Sequence, residues 1–224
     1  NSVAVSIERV EKPEIRMGKT YKKELLNKLR PDHSYWEDRG VSTYSVSEFK
    51  GGVSKAGKMQ NRYVFPIFNA SDEIVGFAGR DLLTNSNSMR PKWKLIGDKS
   101  KWKYPFFLNY KLIKEQKSVI IVESIGDMLA LWDCGIKNVA VSFGLDLSST
   151  LISSFIRFDL TSIVVAFNDD SKNSGAGNKA AKKAQAKLLN YFDPHQISVS
   201  LPAGGDFGEM SKDQITDWMG KTNG

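Results

Sequence analysis

Val119-Ile120-Ile121-Val122-Glu123-Ser124-Ile125-Gly126-Asp127 and, further along, Ile163-Val164-Val165-Ala166-Phe167-Asn168-Asp169-Asp170 decide the fold. Each begins as an apolar run of strand length and stops on acidic residues. A buried strand that ends on carboxylates marks a site more readily than a surface. In an open parallel sheet the ligand crevice lies beyond the carboxyl ends of the strands. Acids delivered there by separate strands can share hard cations such as Mg²⁺, which take oxygen ligands from one or two carboxylates and from substrate phosphates.

Outward from these runs the pattern alternates. Strands are expected at 118–122, 138–141, 162–167 and 196–201. Helices are expected at 125–132, closed by Gly135, at 147–155 with Ser148 near the start, at 178–191, and around 214–219. Strict alternation of strand and helix predicts an α/β fold, a parallel sheet flanked by helices with right-handed crossovers. The front of the chain reads differently. Residues 1–18 show no periodicity and are expected to form an extended lead-in. Tyr21 to Arg30 reads as a helix with Leu25, Leu26 and Leu29 on one face, stopped by Pro31. Asp32 fits the cap of a second helix that stops at Gly40, and Ser45 with Glu48 fits a short capped helix. Residues 62–68 and 73–79 read as two strands joined by the turn Asn69-Ala70-Ser71-Asp72. Residues 91–96 add a further strand, 97–103 a basic loop, and 110–116 a short helix. A boundary near Gln116 therefore separates a smaller α+β part, 1–116, from the α/β part, 117–224.

Bulk properties narrow the function. The 224 residues suit one large domain or two small ones, and 41% hydrophobic with 25% charged residues describes a globular chain. No apolar run approaches the roughly 20 residues that span a bilayer, so no membrane partner is expected. The chain starts on Asn1 and is read as a piece of a longer protein. Cys134 is the single cysteine, and only His33 and His195 stand beside it, which excludes a disulfide framework and argues against structural zinc. A net charge of +7 hints at a polyanionic partner.

These residues resemble a known family. Val122-Glu123-Ser124-Ile125-Gly126-Asp127 resembles the Glu motif of Toprim domains. The stretch from Gly135 to Gly144 resembles the second Toprim strand with its closing glycine. Asn168-Asp169-Asp170 stands where that family has Asp-x-Asp. Leu201-Pro202, Gly205-Asp206-Phe207 and Glu209 resemble a late acidic motif of primases. In the front part, Arg62-Tyr63-Val64-Phe65-Pro66-Ile67 and Ile74-Val75-Gly76-Phe77-Ala78-Gly79-Arg80 are similar to the N-terminal subdomain of bacterial (DnaG-type) primases and phage primase–helicases. The resemblance covers most of residues 40–210. It departs from the family at Asn168, which replaces the first Asp of the motif, and in a longer loop at 171–175. The zinc module of that family is absent from this stretch.

The resemblance implies a Toprim catalytic core that makes short RNA primers from ribonucleoside triphosphates on a single-stranded DNA template, using Mg²⁺ or Mn²⁺. It places metal binding at Glu123, Asn168, Asp170 and Asp206, with Asp127 in support, and catalysis at Glu123 and Asp170. Glu123 acting as a general base is an alternative. Asp169 stands one residue off the motif, so on a strand it points to the opposite face. Arg62, Arg80, Lys92, Lys94, Lys101 and Lys103 are the candidate nucleic-acid or nucleotide contacts. Lysines interleaved with Trp93 and Trp102 suit a single strand.

Plainer readings exist for each feature. Glu123 and Asp127 fit the acidic first turn of a helix, and Asp169 and Asp170 fit ordinary turn residues. The lysines fit a solvated loop. Gly175 and Gly177 fit either a flexible loop or a phosphate-binding helix start. Lys179, Lys182 and Lys183 read as the wet face of a helix. Two other functions stand beside the primase expectation: a Toprim nuclease and a catalytically weakened module that only grips single-stranded DNA. A replicative helicase, fused or bound, is the expected partner. The cytoplasm of a bacterial or phage-infected cell is the expected location, and a phage or mobile element the expected source.

Overall fold

The structure is a computed structural model, and it describes residues 18–83, 89–172, 174–203 and 205–222. The expected lead-in at 1–18 lies, apart from Gly18, outside the described residues. The class is α/β with two sheets. A five-stranded antiparallel sheet runs in chain order: β1 (Leu29–Arg30), β2 (Gly52–Ser54), β3 (Arg62–Phe68), β4 (Ile74–Asp81) and β5 (Trp93–Gly97). A four-stranded parallel sheet contains β6 (Ser118–Val122), β7 (Val139–Val141), β8 (Ser162–Val165) and β9 (Ile197–Val199), in the spatial order β7-β6-β8-β9. The helices are α1 (Ser34–Glu37), α2 (Thr43–Ser47), α3 (Phe106–Gln116), α4 (Ile125–Asp133), α5 (Ser149–Arg157), α6 (Ala176–Leu188) and α7 (Lys212–Thr222).

Alternation along β6 explains its central place. Ile120 and Val122 join one apolar cluster, while Val119 and Ile121 join another, so the strand is buried on both faces. The second cluster is closed by α3, α5 and α6 through Ile113, Phe155, Ala181 and Leu188. The first is shared between the sheets. Tyr63, Phe65, Ile67 and Ala78 of the antiparallel sheet meet Val122, Met128, Leu129 and Val164 there, with Trp218 of α7. Truncating a buried ring such as Phe65 to Ala costs about 3–5 kcal/mol. The two sheets thus stand on one continuous core. Helix α3 ends on Gln116, on the front side of the expected boundary, yet packs on the parallel sheet, and Val141 N–H donates to Tyr104 O at 2.9 Å.

The front differs from expectation in three places. Tyr21–Arg30 is not an α-helix: Lys23–Lys28 forms a 3-10 turn, and Leu29–Arg30 is drawn out to pair with β2. Its first turn has no capping side chain, and Leu25, Leu26 and Leu29 pack on the outer face of the antiparallel sheet. Tertiary packing overrides the leucine periodicity. Strand β2 has only three residues and no alternation to reveal it. A Cβ at Gly52 would stand 2.5 Å from Arg30 O, so glycine is what lets β1 approach. The cap of α2 is Ser42 rather than Ser45: Ser42 Oγ accepts from Ser45 N at 3.3 Å. The hairpin forms with β4 starting at Ile74, and Asn69 Oδ1 accepts from Ser71 N and Glu73 N, both at 2.9 Å.

Candidate metal centre and nucleic-acid face

In the parallel sheet the chain passes from β6 outward to β7, then back across to β8. The strand order therefore reverses between β6 and β8, and the crevice of such a sheet opens at that switch point. Glu123 follows β6 and Asn168 lies just beyond β8, one on each side of it. They touch: Asn168 N–H donates to Glu123 Oε1 at 3.0 Å. Glu123 is half-buried. Burial pushes its carboxyl up from the ordinary glutamate range, Asp170 and Asp206 push it further, and the Asn168 amide and Lys92 pull it back. Asp170, Asp206 and Lys92 thus all act electrostatically on this one carboxylate. The Asn168 side-chain oxygen is buried and, among the described residues, accepts no hydrogen bond.

Asp127 and Asp170 are more occupied than the sequence implies. Asp127 is 2% exposed. Its Oδ2 accepts from Ser124 N at 3.1 Å and Ser124 Oγ at 2.7 Å, forming a capping box at the start of α4. Its Oδ1 accepts from Phe207 N at 3.3 Å, which ties the late acidic loop to α4. Burial, with Asp206 and Glu123 near, pushes Asp127 up to about 7 against the pull of Ser124. Asp170 caps α6. Its Oδ2 accepts from Ser174 Oγ at 2.7 Å and Ala176 N at 2.9 Å, and its Oδ1 accepts from Gly177 N at 2.9 Å. The Ser174 hydroxyl and these amides hold its carboxyl below the usual range. The amides near Gly175 and Gly177 are thus already taken by a carboxylate, and the phosphate option raised for them falls away. Asp169 points elsewhere, accepting from Asn178 Nδ2 at 2.9 Å.

The basic residues divide over two faces. Arg80 pairs across the sheet with Trp93 on the face of the shared core, where its Nε donates to Tyr35 Oη at 2.7 Å. Lys92, just before β5, brings Nζ to 4.0 Å from Asp206 Oδ2. Lys94 lies on the opposite face and lines a cavity with Lys58, Arg62 and Arg90. Arg62 departs from its expected role as a phosphate contact. It is 2% exposed, its Nη1 donates to Gly79 O at 3.1 Å and Pro91 O at 2.9 Å, and Asp81 stands 3.9 Å away. At the end of β3 its alternation points it into the sheet's outer layer, where it works as a strut. Lys101 pairs with Asp98 on the surface at 3.4 Å. Lys103 is half-buried, and burial with Arg157 nearby pulls its ammonium down. Trp102 is core, 2% exposed.

Two further residues shape the site. Ser124 is half of the capping box that orients Asp127, and the Ser-x-x-Asp spacing was its signal. Lys99 Nζ donates to Phe143 O at 3.0 Å, beside the Gly144 whose amide donates to Glu123 O at 3.3 Å. In sequence Lys99 belongs to the same basic cluster as Lys92, Lys94, Lys101 and Lys103.

Comparison with known proteins bears on the family and the fold. Residues 120–211 match the Toprim-like family model. A DNA primase of Borreliella burgdorferi is 30% identical over 200 residues, covering 84% of this chain and 36% of that protein. The DnaG primase catalytic domain bound to single-stranded DNA superposes with a TM-score of 0.72 at 19% identity, covering 88% of this chain and 76% of that one. The Aquifex aeolicus primase, in its zinc-binding and RNA polymerase domains, gives 0.70 at 20% identity, covering 88% and 57%.

This chain is a Toprim-domain relative of the bacterial DNA primases.

The chain spans about a third of the length of the curated primases it matches. Its Toprim domain places the Glu motif at the switch point, and the donors there are hard oxygens. Among the described residues no three His, Cys, Asp or Glu side chains form a metal-holding group. Asp127 and Asp170 are engaged by amides and hydroxyls, and position 168 carries a neutral amide. What remains is Glu123 with its second oxygen, Asp206, and the unpartnered Asn168 Oδ1. That set suits a divalent cation which takes one or two carboxylates and completes its shell with water and substrate phosphate.

Proposed function

We propose that the chain is the catalytic core of a DNA primase, joining ribonucleoside triphosphates into a short primer on a single-stranded DNA template with Mg²⁺ or Mn²⁺. The observation that carries this is the Glu123–Asn168 contact at the switch point, with Asp206 and Asp170 around it and an unpartnered amide oxygen buried within it. Attack of a 3′-hydroxyl on an α-phosphate requires loss of a proton and neutralisation of the departing pyrophosphate. Divalent cations, when bound, supply both. Glu123, Asn168 and Asp206 would hold them. Asp127 anchors the Asp206 loop to α4, and Asp170 fixes the start of α6 behind Glu123. Lys92 adds positive charge at the mouth, where triphosphate oxygens gather. Arg80 and the aromatic residues beside it serve the template. The residues up to about 116 would guide template and nucleotide, and the Toprim part would hold the metal. A replicative helicase, fused or bound, and a bacterial or phage-infected cytoplasm belong to the same proposal.

Incubation with single-stranded DNA, labelled ribonucleotides and Mg²⁺ or Mn²⁺ tests it. Labelled primers are expected from wild type and none from Glu123→Gln, with DNA binding retained. Equal synthesis by that variant would refute the site. A second reading is favoured by Asn168 and by the occupied oxygens of Asp170: a module that grips single-stranded DNA without catalysis. Binding that persists in EDTA, with no product under either metal, would select it.

A further inference from the structure

Asp169 stands between Asn168 and Asp170, with its carboxylate turned to α6. Three bonds hold it. Its N–H donates to Gly205 O at 2.8 Å, directly before Asp206. Its Oδ1 accepts from Ser171 N at 3.2 Å, closing its own turn, and from Asn178 Nδ2 of α6 at 2.9 Å. The Asn178 side-chain oxygen is buried and, among the described residues, has no partner. Turning that amide over would set its oxygen against the Asp169 carboxylate, which only accepts, so the carboxylate fixes which way Asn178 faces. A buried amide oxygen without a donor is unfavourable. Asn178 thus keeps its bond to Asp169 and forgoes one at its oxygen.

The consequence of that bond lies in the backbone. The Asn168 carbonyl and the Asp169 N–H share one peptide plane. On the carbonyl side α6 lies so close that a Cβ at Gly177 would stand 2.3 Å from Asn168 O. On the amide side stands Gly205 O. The preceding amide, that of Asn168, donates to Glu123 Oε1 at 3.0 Å. Consecutive amides therefore hold Glu123 and the Asp206 loop. Gly205, at φ 140°, gives that loop little stiffness of its own, so its place depends on outside ties. One is Asp127 Oδ1 on Phe207 N, and the other is the Asp169 amide on Gly205 O, with Asp206 between them. We propose that Asp169 and Asn178 form a latch, a pair of positioning residues that fixes the 168–169 peptide against α6 and so sets Asp206 for a divalent cation shared with Glu123. Without the side-chain bond the peptide can turn, and the loop keeps only its tie to Asp127. The inference rests on the metal reading of the acid site.

The test combines Mn²⁺ titration by electron paramagnetic resonance with hydrogen exchange of the metal-free protein, on Asn178→Ala, Asp169→Ala, the double variant and Asp169→Asn. Each Ala variant is expected to weaken Mn²⁺ binding about tenfold, the low end for residues that orient metal ligands. Each should also speed exchange at 205–209 while β6 and β8 keep their protection. The double variant should lose no more than either single one, because both remove the same bond. Asp169→Asn keeps an oxygen for Asn178 Nδ2 and should recover most of the affinity. Should Asp169→Ala misfold, Asn178→Ala and Asp169→Asn decide. Affinity lost equally in Asp169→Asn and Asp169→Ala overturns the latch, because the charge and not the bond is then what counts. Losses that add in the double variant overturn it as well. So does a lowered melting point with Mn²⁺ affinity and loop exchange unchanged, which would make the pair merely structural. A wild type that binds no Mn²⁺ removes the metal reading, and exchange then decides alone: faster exchange at 205–209 in the Ala variants keeps the latch, and unchanged exchange overturns it.

Discussion

Replacing Asp127 with Ala separates a ligand from an anchor. The carboxylate makes three contacts: Ser124 N at 3.1 Å, Ser124 Oγ at 2.7 Å and Phe207 N at 3.3 Å. Loss of the capping box costs about 1 kcal/mol. Leaving the buried Phe207 N–H without an acceptor adds about 1–3 kcal/mol. The sum, about 3 kcal/mol, corresponds to a melting point lowered by roughly 6–12 °C for a chain of this size. The pH dependence carries the opposite sign from most carboxylates. Asp127 rises from 3.8 to about 7 on folding, so its contribution to stability is complete below pH 3.8 and is lost as pH rises through about 7. Thermal melting by circular dichroism from pH 4 to 8, with Mn²⁺ affinity measured alongside, is the assay. An anchor predicts the large melting shift, with metal affinity falling only as the Asp206 loop loosens. A variant that melts within about 1 °C of wild type, yet binds Mn²⁺ as poorly as Glu123→Gln, would refute the anchor and make Asp127 a direct ligand.

Other substitutions probe the supports. Gly177→Ala raises helix propensity, but its Cβ would meet Asn168 O at 2.3 Å and Glu123 Oε1 at 3.2 Å. A net destabilisation of about 1–3 kcal/mol with weakened Mn²⁺ binding is expected in urea melts and titration. Arg62→Met should cost about 2–4 kcal/mol by leaving buried carbonyls unpaired, while strand binding by anisotropy stays unchanged. Asp133 takes N–H and O–H donors from Ser42 and an ion pair from Lys212 at 2.6 Å. Burial works to raise its carboxyl, but Lys212 and Ser42 outweigh it and hold it down at about 2. Its contribution, about 2 kcal/mol, is therefore present above pH 3.8 and lost as pH falls through 2, and Asp133→Asn should flatten that acid limb in melting experiments.

The parallel half was legible because its signal is local. Runs such as Val119–Val122 are buried on both faces, and each strand–helix alternation repeats the same code. The convergence of Glu123 and Asn168 follows from that topology. What escaped was the use made of each acid. Asp127 and Asp170 carry the same residue type as a metal ligand, yet their oxygens go to amides at helix starts, which depends on where α4 and α6 begin to within one residue. Arg62 reads as a phosphate contact in the sequence, yet its guanidinium is taken by the Gly79 and Pro91 carbonyls, which only the fold brings beside it. Leu25, Leu26 and Leu29 keep helical spacing but serve a sheet face that only the fold creates. Strands β1 and β2 are too short for any period to appear.

Mn²⁺ titration followed by electron paramagnetic resonance, on wild type, Glu123→Gln and Asn168→Asp, addresses the metal centre itself. Wild type is expected to bind Mn²⁺, Glu123→Gln to lose at least about tenfold in affinity with its melting point kept, and Asn168→Asp to bind more tightly, because a carboxylate replaces a neutral oxygen ligand. Equal Mn²⁺ affinity in all three proteins would contradict a cation site at the β6–β8 switch point.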